Sequence, residues 1–133
     1  FVEFNTYSKF HFVRNEYIML EEDPQISFED FMKVKMCVGT ILEATLNIKA
    51  KKPAYVLSID FGPIGIKTSS AQITQHYTPE ELIGRQIIAV VNFPQKNIAG
   101  VKSEALVLAC VSNEDGTVLL HPTHKVSNGS RVI

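Results

Sequence analysis

Only two cysteines, no apolar run near the roughly 20 residues that span a bilayer, and no glycine-rich loop behind a strand: these omissions bound the sequence first. Without such a loop, phosphate-loop nucleotide chemistry has no cradle. A charged-then-apolar leader with a small-residue cleavage site does not appear at the start, and no membrane insertion is expected. Cys37 and Cys110 stand far apart in apolar, strand-like runs and are expected as two buried free thiols rather than a disulfide or a nucleophile, which makes a reducing cytoplasm the expected compartment. Catalytic groups are as sparse. His76, His121 and His124 are candidate bases, but no Ser or Cys occupies a nucleophile turn. His121 and His124 have a zinc-like two-residue gap, yet no Cys or carboxylate cluster completes four ligands. Glu80 and Glu81 suit the positive end of a helix dipole better than a catalytic pair. The expectation is a binding protein with no catalytic residue, no metal and no cofactor.

What is present fits a single folded unit. A chain of 133 residues, 45% hydrophobic and 20% charged, suits one soluble domain with one core. The net charge of −1 conceals an asymmetry: residues 1–30 hold two basic and seven acidic side chains, the remainder eleven basic and seven acidic. A mildly basic body is compatible with a polyanionic partner without requiring one.

In chain order, Val2, Phe4, Phe10 and Phe12 share one parity, an imperfect strand pattern. The chain opens on Phe1 and its first methionine is Met19, so residues 1–18 are expected to be upstream or vector-derived, within an extension over 1–26. A domain over 27–133 follows. Ser27 with Asp30 predicts a short helix near 28–32. Alternation predicts strands from Val34, over 54–61 and over 64–73, with Gly39 allowing a bulge or sharp coil. Thr78, Pro79 and Glu81 mark a helix start that Gly84 ends. Strands over 85–93 and 104–111, a turn at Asn113–Gly116, a strand over 117–121 and a last short strand follow. Three strands, a short helix and two more strands is the order of an OB-fold. The fold class expected is all-β with short helices, an OB-fold five-stranded Greek-key barrel with extra terminal strands or helix.

The stretch Ile87–Leu108 stands out, because two apolar runs flank a polar loop, and a polar loop held between strands reads as a presented surface. In an OB barrel the third strand (Lys67, Ser69, Ser70, Gln72) and this loop (Asn92, Phe93, Pro94, Lys96, Asn97, Ile98, Lys102, Ser103, Glu104) converge beside the concave face. Lysines would neutralise phosphates, amides and hydroxyls would hydrogen-bond, and Phe93 would stack on a base. Spacing alone leaves Phe93 equally well a core residue and the lysines a solvated rim.

Six segments carry a family resemblance: VGTILEA (38–44), KPAYVLSIDFG (52–62), IGIKTSSAQIT (64–74), YTPEELIGRQIIAVVNFP (77–94), IAGVKSEALVLA (98–109) and VSNGSRVI (126–133). Together they resemble the CsaA-type proteins, part of the wider family of tRNA-binding OB domains that also append to methionyl-tRNA synthetases. The likeness covers roughly 27–133. The wider family shows an Asn-Leu-x-Pro turn and a Gly-x-x-Ser-x-Gly-Met stretch; here these read Asn92-Phe93-Pro94 and Gly100–Leu106. The resemblance implies a homodimeric, export-related chaperone for unfolded or precursor polypeptides, with tRNA as the alternative partner and export machinery as a further one. It also implies dimer contacts through residues 17–34 and the strand near Val126–Ile133, which would cover exposed edges. The polypeptide would lie near Lys67–Gln72 and Phe93–Lys102, with Phe93, Pro94 and Ile98 giving apolar contact.

Overall fold

The computed structural model describes residues 23–133 and the backbone of residues 12–13 and 16–17. The chain falls into two units that part between Val34 and Lys35. In the first, β1 (Phe12–Val13) and β2 (Glu16–Tyr17) pair antiparallel, Phe12 opposite Tyr17. The rest of the alternating opening run lies outside the described residues. Helix α1 (Phe28–Met32) begins where its cap predicts: Ser27 Oγ accepts the Asp30 N–H at 3.0 Å, satisfying a donor that the first helical turn leaves open. Lys33 Nζ sits 2.8 Å from Asp30 Oδ1 and holds that carboxyl below its usual range.

The second unit is a nearly closed antiparallel barrel of OB type. Its strands are β3 (Met36–Leu46), β4 (Tyr55–Asp60), β5 (Ile66–Ala71), β6 (Gln86–Val90) and β9 (Leu106–Val107), in spatial order β5-β4-β3-β6-β9. Between β6 and β9 a small hairpin intervenes, β7 (Lys96–Ile98) with β8 (Val101–Ser103); β10 (Ala109–Ser112) and β11 (Gly116–Leu119) form another beyond. The long β3 serves two neighbours. Its first half pairs with β6 (Met36 opposite Val90) and its second with β4 (Leu46 opposite Tyr55).

Alternation decides which side chains fill the barrel. Along β4, Tyr55, Leu57 and Ile59 are buried while Val56, Ser58 and Asp60 are not. They join fully buried Cys37, Ile41, Phe61, Leu82, Ile87, Ala89 and Ala105. Each large aliphatic chain so buried contributes about 1.5–3 kcal/mol. The expected bulge in the first long strand occurs, but its register shift lies between Ile41 and Glu43, not at Gly39. Gly39 serves packing instead: a Cβ there would meet Ile59 Cγ2 at 2.6 Å and the Phe61 ring at 2.7 Å.

Gly62 and Pro63 break the chain after β4 in a single 3₁₀ turn over Gly62–Ile64. Helix α2 (Pro79–Leu82) carries the anticipated capping box. Thr78 Oγ1 accepts the Glu81 N–H at 3.3 Å, and Glu81 Oε1 accepts the Thr78 N–H at 3.1 Å. The Thr78 hydroxyl and then its N–H, both donating to Glu81 Oε1, lower the Glu81 pKa. Leu82, fully buried, joins the hydrophobic core, and the chain leaves through Gly84 at φ 86°, its N–H bonded to Ile41 O at 2.8 Å.

Two expectations change, those for the run over 104–111 and for Cys110. The run over 104–111 is two strands, β9 on the barrel and β10 in its own hairpin. The last stretch pairs within its own chain, against β3: Gly129 N–H to Val38 O at 2.7 Å, Val38 N–H to Ser130 O at 2.9 Å and Val132 N–H to Met36 O at 2.9 Å. Cys37 is a buried thiol as expected, but Cys110 is exposed, because β10 belongs to a separate two-stranded sheet.

Candidate functional site

The barrel closes along a seam made of residues that the sequence offers as ligand contacts. Strand β5 lies at one end of the five-stranded sheet, and its open backbone is met by the segment following β8. Ser70 N–H donates to Ser103 Oγ at 3.1 Å, and Ser69 Oγ donates to Ala105 O at 2.7 Å. Thr68 and Glu104 bind reciprocally, Thr68 N–H to Glu104 Oε1 at 3.1 Å and Glu104 N–H to Thr68 O at 2.8 Å. Side-chain oxygens thus take the place of a backbone ladder where the strands diverge, and buried donors are not left bare. Ser69 and Ser103 are inaccessible, and Ser70 nearly so. The third strand and the loop do converge, as expected, but Ser69, Ser70, Ser103 and Glu104 there hold the barrel shut and offer little to a ligand.

Past the seam the loop is not irregular. It folds into the β7–β8 hairpin, whose two-residue turn is Ala99-Gly100, with φ of 48° and 83°. Two positive φ values match such a turn to the twist of its strands. Gly100 adopts this freely; Ala99 does so at a cost of about 1 kcal/mol. Asn97 Oδ1 braces the turn by accepting the Gly100 N–H at 3.2 Å.

The hairpin tip meets the connection between β3 and β4, residues 47–54. Asn47 is almost wholly buried and every one of its polar groups is engaged. Its N–H donates to Ala54 O at 2.9 Å and its C=O accepts the Ala50 N–H at 3.2 Å. Its Oδ1 accepts the Lys49 N–H at 3.1 Å, and its Nδ2 donates to Ala99 O in the hairpin turn at 3.5 Å. The Lys49 side chain lies over the same turn: its Cδ is 3.6 Å and its Nζ 3.9 Å from where a Cβ on Gly100 would stand. Lys49, Lys51 and Lys52 on the loop, and Lys96 and Lys102 on the hairpin, are exposed. Residues 47–54 and 92–103 contain no Asp or Glu. Leu46 and Ile48 add exposed apolar surface, Ile48 at 87% of its full accessibility. A basic rim around apolar side chains favours a ligand carrying repeated negative charge.

The other expected site residues divide between three places. Lys96, Asn97, Ile98 and Lys102 form the hairpin; Lys67 is half-buried on β5 opposite Ile59, and Gln72 is exposed just past its end. Asn92, Phe93 and Pro94 are exposed elsewhere, where Asn92 Oδ1 accepts the Lys35 N–H at 2.9 Å beside the start of β3; the hairpin tip meets the end of β3. Lys49, Lys51 and Lys52 were missed, although three lysines within four residues between two strands was an available signal. His121 and His124 are exposed, and among the described residues no three His, Cys, Asp or Glu side chains gather as a metal site.

Against known proteins, residues 36–131 match the family described as putative tRNA binding domain. Chaperone CsaA from Bacillus anthracis superposes with a TM-score of 0.78 at 48% identity, covering 83% of this chain and all of that one. CsaA from Picrophilus torridus gives 0.77 at 47%, covering 82% and 100%. A MetRS-related protein from Pyrococcus horikoshii gives 0.74 at 30%, covering 84% and 100%. Methionine–tRNA ligase of Porphyromonas gingivalis is 36% identical over 107 residues, 80% of this chain but only 15% of the ligase. The chain belongs to the tRNA-binding domain family.

Proposed function

We propose that this tRNA-binding-family barrel is a CsaA-type chaperone: a cytoplasmic homodimer that holds unfolded or precursor polypeptides, linked to export, and catalyses no reaction. The observation that carries this reading is the identity of 47–48% to two CsaA chains that are matched over their whole length, against 30–36% to the synthetase-related proteins. The surface suits such a ligand. Leu46 and Ile48 offer apolar contact to an extended chain, while Lys49, Lys51, Lys52, Lys96 and Lys102 favour its acidic groups. Dimerisation is supported by exposed apolar side chains in both terminal stretches, Ile26 and Phe28 in one, Val126 and Ile133 in the other, which a second copy would cover.

A second reading, tRNA binding at the same surface, rests on a specific observation: five exposed lysines on two loops that hold no carboxylate. The two ligands differ in salt response, because phosphate binding releases counterions and apolar capture does not. The chaperone reading expects suppression of aggregation of an unfolded acidic protein that persists from low to moderate salt, and a dimeric mass by light scattering at micromolar concentration. Absence of suppression, with tight and steeply salt-dependent tRNA binding, would replace it by the second reading. A monomeric mass would remove the dimer.

A further inference from the structure

We infer that Asn47 is a positioning residue that locks the 47–54 loop to the β7–β8 hairpin, so that lysines from two separate segments act as one surface. The inference rests on the reading that this surface binds the ligand. Asn47 comes from the end of a barrel strand, where its backbone is fixed by Ala54 O and the Ala50 N–H, and it is 8% exposed. Its amide then works in two directions. Oδ1 takes the Lys49 N–H and sets where that lysine leaves the loop; Nδ2 reaches Ala99 O in the hairpin turn, 52 residues away. The Lys49 stem lies beside Gly100 next to this bond, its Cδ 3.6 Å from where a Cβ on Gly100 would stand, an ordinary van der Waals contact.

The hairpin is short and, within its two-stranded sheet, pairs only with itself. Two-stranded hairpins are marginal alone, so its tip depends on what it leans on. An untied hairpin would spread Lys96 and Lys102 over many positions relative to Lys49, Lys51 and Lys52. A ligand would then have to order them itself, at an entropic cost. The amide is suited to the task because it offers an acceptor and a donor on one planar group. A carboxylate would supply only acceptors and put a negative charge among the lysines.

Asn47→Ala removes both bonds, while Asn47→Ser keeps a hydroxyl able to accept the Lys49 N–H but too short to reach Ala99. Amide hydrogen exchange on the ligand-free protein reads the lock directly. Both variants are expected to speed exchange at Ile98 and Val101 while leaving Ile41, Leu57 and Ile59 in the barrel unchanged. Transfer RNA then serves as a probe of lysine placement, since each phosphate contact adds about one to the slope of log affinity against log salt. Both variants should lower that slope by about one although every lysine is still present. Lys49→Ala should give a similar loss, and the double variant little more, as coupled positions do. Parent-like exchange at Ile98 and Val101 in both variants would overturn the inference, as would a parent-like slope. If the parent protein shows no salt-dependent binding, the surface reading itself fails, and exchange alone decides whether Asn47 ties the two segments.

Discussion

At the seam, Ser103 Oγ and Glu104 Oε1 accept the Ser70 and Thr68 N–H groups, and Ser69 Oγ donates to Ala105 O. At the loop-to-hairpin contact, a few residues earlier in the same connection, Lys96 and Lys102 are exposed, as are Lys49, Lys51 and Lys52. Both stretches are polar, and both lie between apolar runs. They differ in what surrounds them. The seam runs along β5, where an incompletely laddered strand takes side-chain partners, whereas Lys96, Asn97 and Lys102 on the hairpin are exposed. Polarity between two strands therefore leaves polar atoms open to a ligand only where the barrel does not consume them.

Ser103→Ala should test the structural half with the largest effect. It leaves the buried Ser70 N–H without its acceptor, so stability is expected to fall by about 1–3 kcal/mol in urea unfolding, with ligand affinity of the folded fraction unchanged. A loss below about 0.5 kcal/mol would mean that the seam is held by something else. On the hairpin side, Ala99→Gly should act in the opposite direction. Relief of the positive φ outweighs the added chain entropy, and a gain of up to about 1 kcal/mol is expected by thermal unfolding. A destabilised Ala99→Gly would show that the methyl group packs usefully in the turn.

The smallest effect concerns α2, remote from both regions. The Thr78 hydrogen bonds lower the Glu81 pKa in the folded protein. The stability this contributes is present above the ordinary glutamate value and is lost as pH falls through the lowered one. Acid titration of parent and Glu81→Gln should therefore converge at low pH and diverge slightly near neutrality, while the seam and hairpin readouts stay fixed.

Local spacing made much of this legible. The capping box at Thr78–Glu81, the alternation of Tyr55, Leu57 and Ile59 and the turn at Asn113–Gly116 each depend on residues a few positions apart, and each appears where expected. The seam was not legible, because Ser69 meets Ala105 across 36 residues, and nothing local to Ser69 says which oxygens closure will consume. The hairpin was hidden by Ala99, a residue seldom found at positive φ, where Asn-Gly would have announced the turn. Gly39 read as a bulge because glycine in a strand permits one, whereas its neighbours Ile59 and Phe61 explain it by space. Cys110 read as core because its run is apolar; only topology takes β10 off the barrel.

The most direct test sets the two regions against each other in one pair of proteins. Lys49, Lys51 and Lys52 are changed together to Ala in one, Ser103 to Ala in the other, and each is measured for urea stability and for binding of tRNA and of an unfolded acidic polypeptide. A crossed result is expected. The lysine variant should keep its stability within about 0.5 kcal/mol, lose ligand affinity and show a tRNA salt slope reduced by about three, while the Ser103 variant loses stability and retains binding. A lysine variant that binds both ligands like the parent would contradict it.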